Sequence, residues 1–246
     1  MLVGMGKGLG DFTRGASYVV SRPSLYKWIA APFVLTVFVL VGVAWGAWSI
    51  AAPGADAVAG LLPGFLSSLI GGALKALLVG LLAIGGYVIF VAIAALITAP
   101  FCEMLSEAIE VERTGHDSGP FSLGTFVRDI VLGISHALRR VMKYVLLVAC
   151  IFIVGVIVPV IGPPVAAALS ALVTIRFAAF DALDAVMARK GWTYSQKKNF
   201  LRAHSGRSFG LGAATAAILL IPVFNVLALP FAAAGATLLY LDVGED

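Results

Sequence analysis

Residues 144–180 read YVLLVACIFIVGVIV, then PVIGPP, then VAAALSALVTIRFAAF. Two apolar segments of about 15 residues flank a break rich in proline and glycine, and each reaches only ~20–24 Å as a helix, short of the ~30 Å hydrocarbon core of a bilayer. Residues 209–241 have the same arrangement around the break PVFN at 222–225. We therefore predict two helical hairpins that enter a membrane without fully crossing it, with turns packed in protein or facing water.

The composition of the whole chain is typical of a membrane protein. Of its 246 residues, 61% are apolar and 12% are charged, about half the charged share of a soluble domain. The mean hydropathy is +1.02. These values exclude a disordered chain and a coiled coil, and the distant Cys102 and Cys150 exclude a disulfide scaffold. The net charge of +4 is better explained by membrane topology than by nucleic-acid binding.

Two longer apolar runs precede the hairpins. We predict an all-α integral membrane protein with two long transmembrane helices, two short, partly penetrating helical hairpins and amphipathic interfacial helices. The chain forms a single membrane domain, divided into an amphipathic N-terminal helix (1–27), a first span (28–52), a second long helix (65–99), cytoplasmic polar helices (101–143), the first hairpin (144–180), a cytoplasmic polar segment (181–208) and the second hairpin (209–241). Residues 53–64 form the loop between the two long helices.

The basic residues indicate the orientation. All of them except Lys75 lie in three polar stretches, 1–27, 101–143 and 176–208, and the loop 53–64 has none. The positive-inside rule places these three stretches in the cytoplasm, so we predict a multi-pass protein with a cytoplasmic N-terminus. Two spans followed by two hairpins satisfy the rule, and six full spans satisfy it equally well.

The N-terminal helix has a helical period of apolar residues. An interfacial helix is expected when apolar and charged residues occupy different faces. The predicted apolar face consists of Leu9, Phe12, Ala16 and Val19, and the predicted polar positions are Lys7, Asp11 and Arg14.

The segment between this helix and the first span has the outline of an anion site. Pro23 ends the N-terminal helix, and Ser24 is a suitable N-cap for the span. The free N–H groups of the helix start, with Arg22 and Lys27 beside them, would attract an anion. The same residues, with Tyr26 and Trp28, would also suit an anchor belt at the membrane surface.

Other polar residues have two interpretations each. Glu103 marks one face of a helix following Pro100. Asp184 would pair with Arg176 or Arg202, or relay protons. Arg139 and Arg140 would hold lipid phosphates or line an anion path, and Asn225 would cap a helix or contact a permeant ion.

No pattern of catalytic, metal-binding or cofactor-binding residues stands out. The three histidines are scattered, and neither a Walker A sequence nor a nucleophile elbow is present. We therefore expect no enzyme activity, no metal, no cofactor and no nucleic-acid partner.

The chain resembles the CysZ-type sulfate permeases over nearly its whole length. The resemblance rests on Gly8, Phe12, Gly15, Pro23, Leu25 and Pro32, on Ala99-Pro100-Phe101, on Asp184, and on Pro222-Val-Phe-Asn225-Val-Leu-Ala-Leu-Pro230 followed by Gly235-Ala236-Thr237. It implies a bacterial inner-membrane protein that admits sulfate or a related oxyanion for cysteine biosynthesis. It also implies two long membrane helices, two partly penetrating hairpins and a homo-oligomer in contact with membrane lipids.

The resemblance also implies a position for the anion site. The family associates sulfate with a Gly-Leu-Arg-Arg-like stretch at the start of the first membrane helix, and the matching positions here read Ser24-Leu25-Tyr26-Lys27. Arg22 lies two residues upstream and supplies a guanidinium. We therefore expect Arg22, Ser24, Leu25, Tyr26 and Lys27 to bind the anion; the alternative is a non-transporting scaffold or lipid-organising protein.

Overall fold

The computed structural model describes residues 2–60, 64–115, 142–155, 157, 158, 160–221 and 225–244. Helices make up nearly all of these residues, and no strand occurs among them. The helices are α1 (Leu2–Val20), α2 (Lys27–Gly60), α3 (Gly64–Thr114), α4 (Met142–Gly155), α5 (Gly162–Arg189), α6 (Tyr194–Ala203), α7 (Ser205–Leu219) and α8 (Asn225–Gly244), with a short 3-10 turn at Pro23–Leu25. The predicted all-α fold class is confirmed.

The chain divides into two compact units. One contains residues 30–98, and the other contains residues 1–29 and 99–246. Within the first unit, α2 and α3 pack side by side, and a Cβ at Gly86 would lie 3.3 Å from Cγ1 of Val43. The second unit contains α1, α5, α7 and α8, which pack against one another.

The two long helices extend beyond the predicted apolar runs. The first continues through Pro53 to Gly60, and the second continues through Pro100 to Thr114. The loop predicted at 53–64 is therefore wrong as far as Gly60, and Pro100 does not begin a separate helix. A proline inside a helix leaves one backbone carbonyl without its usual donor. If the helix unwound in an apolar segment, several backbone N–H and C=O groups would lack partners, so the helix continues.

Three of the described helical segments are long and apolar enough to cross a membrane, namely Pro23–Ile50, Gly162–Arg189 and Leu227–Gly244. The second helix of each hairpin is therefore longer than predicted, with 28 residues in α5 and 20 in α8. The first helices are short, since α7 has 15 residues and α4, with about 14, reaches only ~21 Å. Partial penetration of the hairpins stays a prediction.

The first hairpin consists of α4, a turn and α5, and its two helices are in contact at both ends. The hydroxyls of Tyr144 on α4 and Thr174 on α5 are 2.9 Å apart. Near the turn, a Cβ on Gly162 would lie 2.1 Å from the carbonyl oxygen of Gly155, so glycine allows the close approach of the two helices. The turn contains Val160 at a φ of 69°, a conformation that is uncommon for a β-branched residue.

Helix α5 continues past the predicted end at residue 180 because its later residues are buried. Leu183, Val186 and Met187 are at most 1% exposed, so the helix gains packing throughout this stretch. It ends where Gly191 adopts a φ of +67° and Trp192 N–H donates to the carbonyl of Met187, the geometry of a glycine C-cap. The segment predicted as polar from residue 181 therefore begins as helix.

The buried face of α1 overlaps the predicted one, since Phe12 and Val19 are buried, but it is rotated away from Leu9. Its buried residues are Gly8, Asp11, Phe12, Gly15 and Val19, whereas Leu9 is 48% exposed. The predicted polar position of Asp11 is therefore wrong. A Cβ on Gly15 would lie 2.2 Å from the backbone nitrogen of Gly235 on α8, so close helix contact at glycines adds to the apolar period in selecting this face.

Candidate functional site

The predicted anion site lies in the tight connection between α1 and α2. Arg22 is extended, with φ of −127° and ψ of 97°, and precedes the 3-10 turn Pro23–Leu25. The N–H of Leu25 donates to the carbonyl of Arg22, and the N–H of Tyr26 donates to that of Pro23. Ser24 therefore lies inside the turn and is not the N-cap of α2, and the N–H groups of Leu25 and Tyr26 are already used.

Leu25 and Tyr26 hold this connection in place. Leu25 is 3% exposed and packs in a cluster with Val19, Leu105, Ile109, Ala234 and Leu238. The hydroxyl of Tyr26 donates to the carbonyl of Val20 at the end of α1, which satisfies one of the acceptors that a helix end leaves open. Both predicted site residues thus have a structural role in the connection.

Ser24 and Lys27 are exposed polar side chains of the connection, as are Ser21 and Tyr26. The ammonium of Lys27 lies 4.9 Å from the ring centroid of Trp28, within the range of a cation–π contact. A lysine resting on a tryptophan fits an interfacial anchor, and an exposed ammonium at a helix start also fits an anion site.

Arg22 is held from two sides. Its Nη1 donates to the carbonyl of Tyr18 at 3.2 Å and to the hydroxyl of Ser21 at 3.1 Å, and its Nε donates to Oε1 of Glu112 near the end of α3. The guanidinium carbon lies 3.5 Å from the ring centroid of Tyr18. Burial raises the pKa of Tyr18, and the nearby Glu112 carboxylate raises it further, so Tyr18 stays a neutral phenol beneath the guanidinium.

A second charged cluster joins α3 to the end of α5. Glu110 accepts hydrogen bonds from Arg189 at 2.5 Å and from Lys190 at 2.7 Å. Burial alone would raise the pKa of Glu110, but these two hydrogen bonds outweigh it and hold the pKa below its usual range. The side chains of Arg189 and Glu110 are 15% and 16% exposed, so this pair is better shielded from water than the pair of Arg22 and Glu112.

A third cluster fixes the N-terminal helix to the C-terminal half of the chain. Arg207 on α7 binds Asp11 through Nε and Nη2, and Nη2 also donates to Asp242 on α8 at 2.6 Å. Arg14 donates to Asp242 at 2.8 Å. The four groups carry no net charge, and the hydrogen bonds that Arg207 donates to Asp11 raise the pKa of Arg207.

Three of the other predicted polar residues, Glu103, Asp184 and Arg202, lie on α3, α5 and α6. Asp184 accepts a hydrogen bond from Lys197 at 2.6 Å, a salt bridge with a lysine that the sequence analysis did not name. Glu103 is half-buried on α3, and Arg202 is exposed in the last turn of α6. Asn225 begins α8, and its side chain, like Arg139 and Arg140, lies outside what the structure describes.

The sequence analysis missed Glu112, Arg207 and Asp242. Each of them pairs with a residue far away in the chain, and helical periodicity carries no information on such pairs. Asp11 and Arg207 both stand among glycines, which let helices approach closely. The exposed Lys7 also lies between glycines, so this neighbourhood does not identify a buried pair.

Comparison with known proteins identifies the family. The sequence profile described as "Sulfate transporter CysZ/Etoposide-induced protein 2.4" matches residues 11–230. The chain is 30% identical to the "Sulfate transporter CysZ" of Pseudomonas fluorescens (strain Pf0-1), over 94% of this chain and 92% of that protein. It is 26% identical to the protein of the same name from Vibrio atlanticus (strain LGP32), over 97% of this chain and 94% of that protein. The chain therefore belongs to the Sulfate transporter CysZ/Etoposide-induced protein 2.4 family.

Proposed function

We propose that this chain is a sulfate transporter of the bacterial inner membrane, which admits sulfate or a related oxyanion for cysteine biosynthesis. The observation that carries the proposal is the match, over nearly the whole length of both chains, to proteins named sulfate transporter CysZ. The three apolar helical segments long enough to cross a bilayer support the membrane setting. Transport of this kind needs a path and a binding site, and no covalent chemistry.

The α1–α2 connection is the best-supported position for anion binding. Arg22 and Lys27 place two cations on one exposed turn at the start of α2. The N-terminus of a long helix adds partial positive charge to this position. Since the N–H groups of Leu25 and Tyr26 are bonded within the turn, the side chains of Arg22, Ser24 and Lys27 would make the contacts with the anion.

The turn also suits a transporter because it is held firmly yet remains accessible. Buried Leu25 and the Tyr26 hydrogen bond fix the backbone, while Ser24 and Lys27 are exposed. A fixed backbone lowers the entropy that the site loses when it orders around an ion. An accessible surface lets the ion arrive and leave without a large rearrangement.

The exposed apolar side chains and the distribution of basic residues support a lipid environment and an orientation for the protein. Phe38, Trp45 and Trp48 on α2 are each more than 70% exposed, as expected for a helix that faces lipid or another copy of the chain. We infer that the protein forms a homo-oligomer surrounded by membrane lipids. The distribution of Lys and Arg supports a cytoplasmic N-terminus and cytoplasmic polar segments.

Reconstitution tests the function. Liposomes that contain the purified protein should take up radiolabelled sulfate down a concentration gradient, faster than empty liposomes and with saturation as sulfate increases. Absence of sulfate uptake by folded protein in intact liposomes would favour the scaffold or lipid-organising role instead.

A further inference from the structure

The contact between Arg22 and Glu112 uses a specific part of the guanidinium. Of the five N–H groups of an arginine, Nη1 uses its two on Tyr18 and Ser21, and Nε uses its one on Glu112. Within the described part of the chain, Nη2 has no hydrogen-bond acceptor. The Nε–Nη2 edge of Arg22 is therefore half occupied, by one oxygen of a carboxylate.

This edge is the part of an arginine that best recognises an oxyanion. Nε and Nη2 form a fork of parallel donors, which matches two oxygens of a carboxylate, phosphate or sulfate. Glu112 already satisfies one of these donors. An incoming sulfate can take both donors only after the Glu112 carboxylate moves away from Nε.

We propose that Glu112 is a tethered competitor for the transported anion, so that its carboxylate and the anion bind Arg22 alternately. The inference rests on the proposed function and names the residue that sets the affinity of the same site. When sulfate binds to Arg22, it displaces the Glu112 carboxylate. When sulfate leaves, the carboxylate takes its place on Arg22. Glu112 thereby keeps binding weak and speeds release.

Because the Arg22–Glu112 pair is exposed, the exchange needs little free energy. The side chains of Arg22 and Glu112 are 35% and 40% exposed, and ion pairs with this access to water contribute little stability. A side chain tethered beside its partner nevertheless acts at high effective concentration. The ion pair is therefore weak enough to break. Its two groups stay near each other, so it re-forms at once.

A transporter has a reason to contain such a competitor. A conducting site must bind its ion well enough to admit it and weakly enough to let it leave. A cation with no competing carboxylate would hold a dianion longer. The exchange provides the leaving step without any movement of the helices.

The Glu112→Gln variant separates this role from a structural one. We expect the half-saturating sulfate concentration and the maximal uptake rate both to fall, each by about two- to fivefold, the range that an exposed ion pair contributes. Loss of a merely structural contact would lower the maximal rate without tightening binding. Glu107→Gln is the matched control, because it removes one carboxylate from the same helix.

A double substitution shows whether the effect passes through Arg22. In the Arg22→Ala background, Glu112→Gln should no longer tighten sulfate binding, since the competition has been removed. Binding is measured with radiolabelled sulfate on purified protein in detergent, and uptake is measured in liposomes. Gel filtration confirms that each variant is folded.

The outcomes separate this inference from the function on which it rests. Sulfate uptake by the wild type, with tighter binding and slower maximal uptake in Glu112→Gln alone, supports both. Uptake by the wild type with unchanged or weaker binding in Glu112→Gln, or an equal gain in the Arg22→Ala background, overturns the role of Glu112 and leaves the transporter standing. No uptake by the wild type overturns both.

Discussion

Arg207 holds Asp11 through two parallel hydrogen bonds, from Nε to Oδ2 at 2.5 Å and from Nη2 to Oδ1 at 2.7 Å, although 196 positions separate the two residues in the sequence. The Asp11 side chain is 2% exposed. A carboxylate this well buried is tolerated only when it is paired and hydrogen-bonded. The pair therefore fixes the N-terminal helix, and with it the start of the α1–α2 connection, against the C-terminal helices.

Removal of the Asp11 charge should destabilise the protein strongly. Asp11→Asn leaves Arg207 partly buried and with only Asp242 to neutralise it, at a cost of about 3 kcal/mol. Arg14→Gln is the control in the same cluster, because Arg14 is 48% exposed and its loss should cost less than about 1 kcal/mol. Thermal unfolding of both variants in detergent measures the difference. Equal losses of stability would contradict the central position of Asp11.

Two glycines of α1 provide a matched pair of substitutions. A Cβ on Gly15 would lie 2.2 Å from the backbone nitrogen of Gly235, so Gly15→Ala should separate α1 from α8 and lower the melting temperature. Gly10 has no atom within 4 Å of such a Cβ, so Gly10→Ala should stabilise the helix by about 0.5–1 kcal/mol. Opposite signs in the two melting experiments are expected. A melting temperature that Gly15→Ala leaves unchanged would show that α1 does not pack at this glycine.

The ion pairs of Glu110 should make the stability of the folded protein depend on pH. The pKa of Glu110 is held below its ordinary value of 4.5, so its ion pairs stabilise the folded state fully above that value. Their contribution is lost as the pH falls through the lowered pKa. Glu110→Gln should therefore melt at a lower temperature than wild type near neutral pH, and the difference should shrink below about pH 4. Glu107→Gln serves as the control, and a difference that does not vary with pH would contradict this assignment.

The depth of the hairpins can be measured by cysteine labelling. Leu220 and Ile161 are 83% and 67% exposed at the two turns, so cysteines there should react without disturbing the packing, in a chain whose exposed Cys150 has been replaced by alanine. Partial penetration predicts no reaction with a membrane-impermeant maleimide added from outside the cell. A cysteine at Ala57, in the last turn of α2, should react from that side. External labelling at Leu220 or Ile161 would instead demonstrate full spans.

The sequence was sufficient to predict the membrane class and the all-α fold. Long uncharged runs and Pro/Gly breaks are local features, and the hairpin of α4 and α5 follows from them. Helix ends were harder to predict, because Pro53 and Pro100 lie inside helices and α5 continues past residue 180. In each case the helix continues because its residues are packed, or because the backbone of an apolar segment must keep its hydrogen bonds.

The candidate site was predictable only in part. Pro23 and the cations Arg22 and Lys27 are visible in one short stretch, and a break between two helices was expected there, whereas the 3-10 turn that includes Ser24 was not. The contacts that set its properties come from other parts of the chain, since Glu112 lies 90 positions from Arg22. The same holds for Asp11, whose apparent place on a polar face gave no sign of its distant partner Arg207.

The most direct measurement is sulfate uptake into liposomes that contain the Arg22→Ala/Lys27→Ala variant. The control is Lys7→Ala/Lys198→Ala, which removes two exposed cations from other helices. We expect the first variant to lose saturable uptake, because both cations of the α1–α2 connection are gone, and the control to match the wild type. Equal uptake by wild type and Arg22→Ala/Lys27→Ala would contradict the proposal that sulfate binds at this connection.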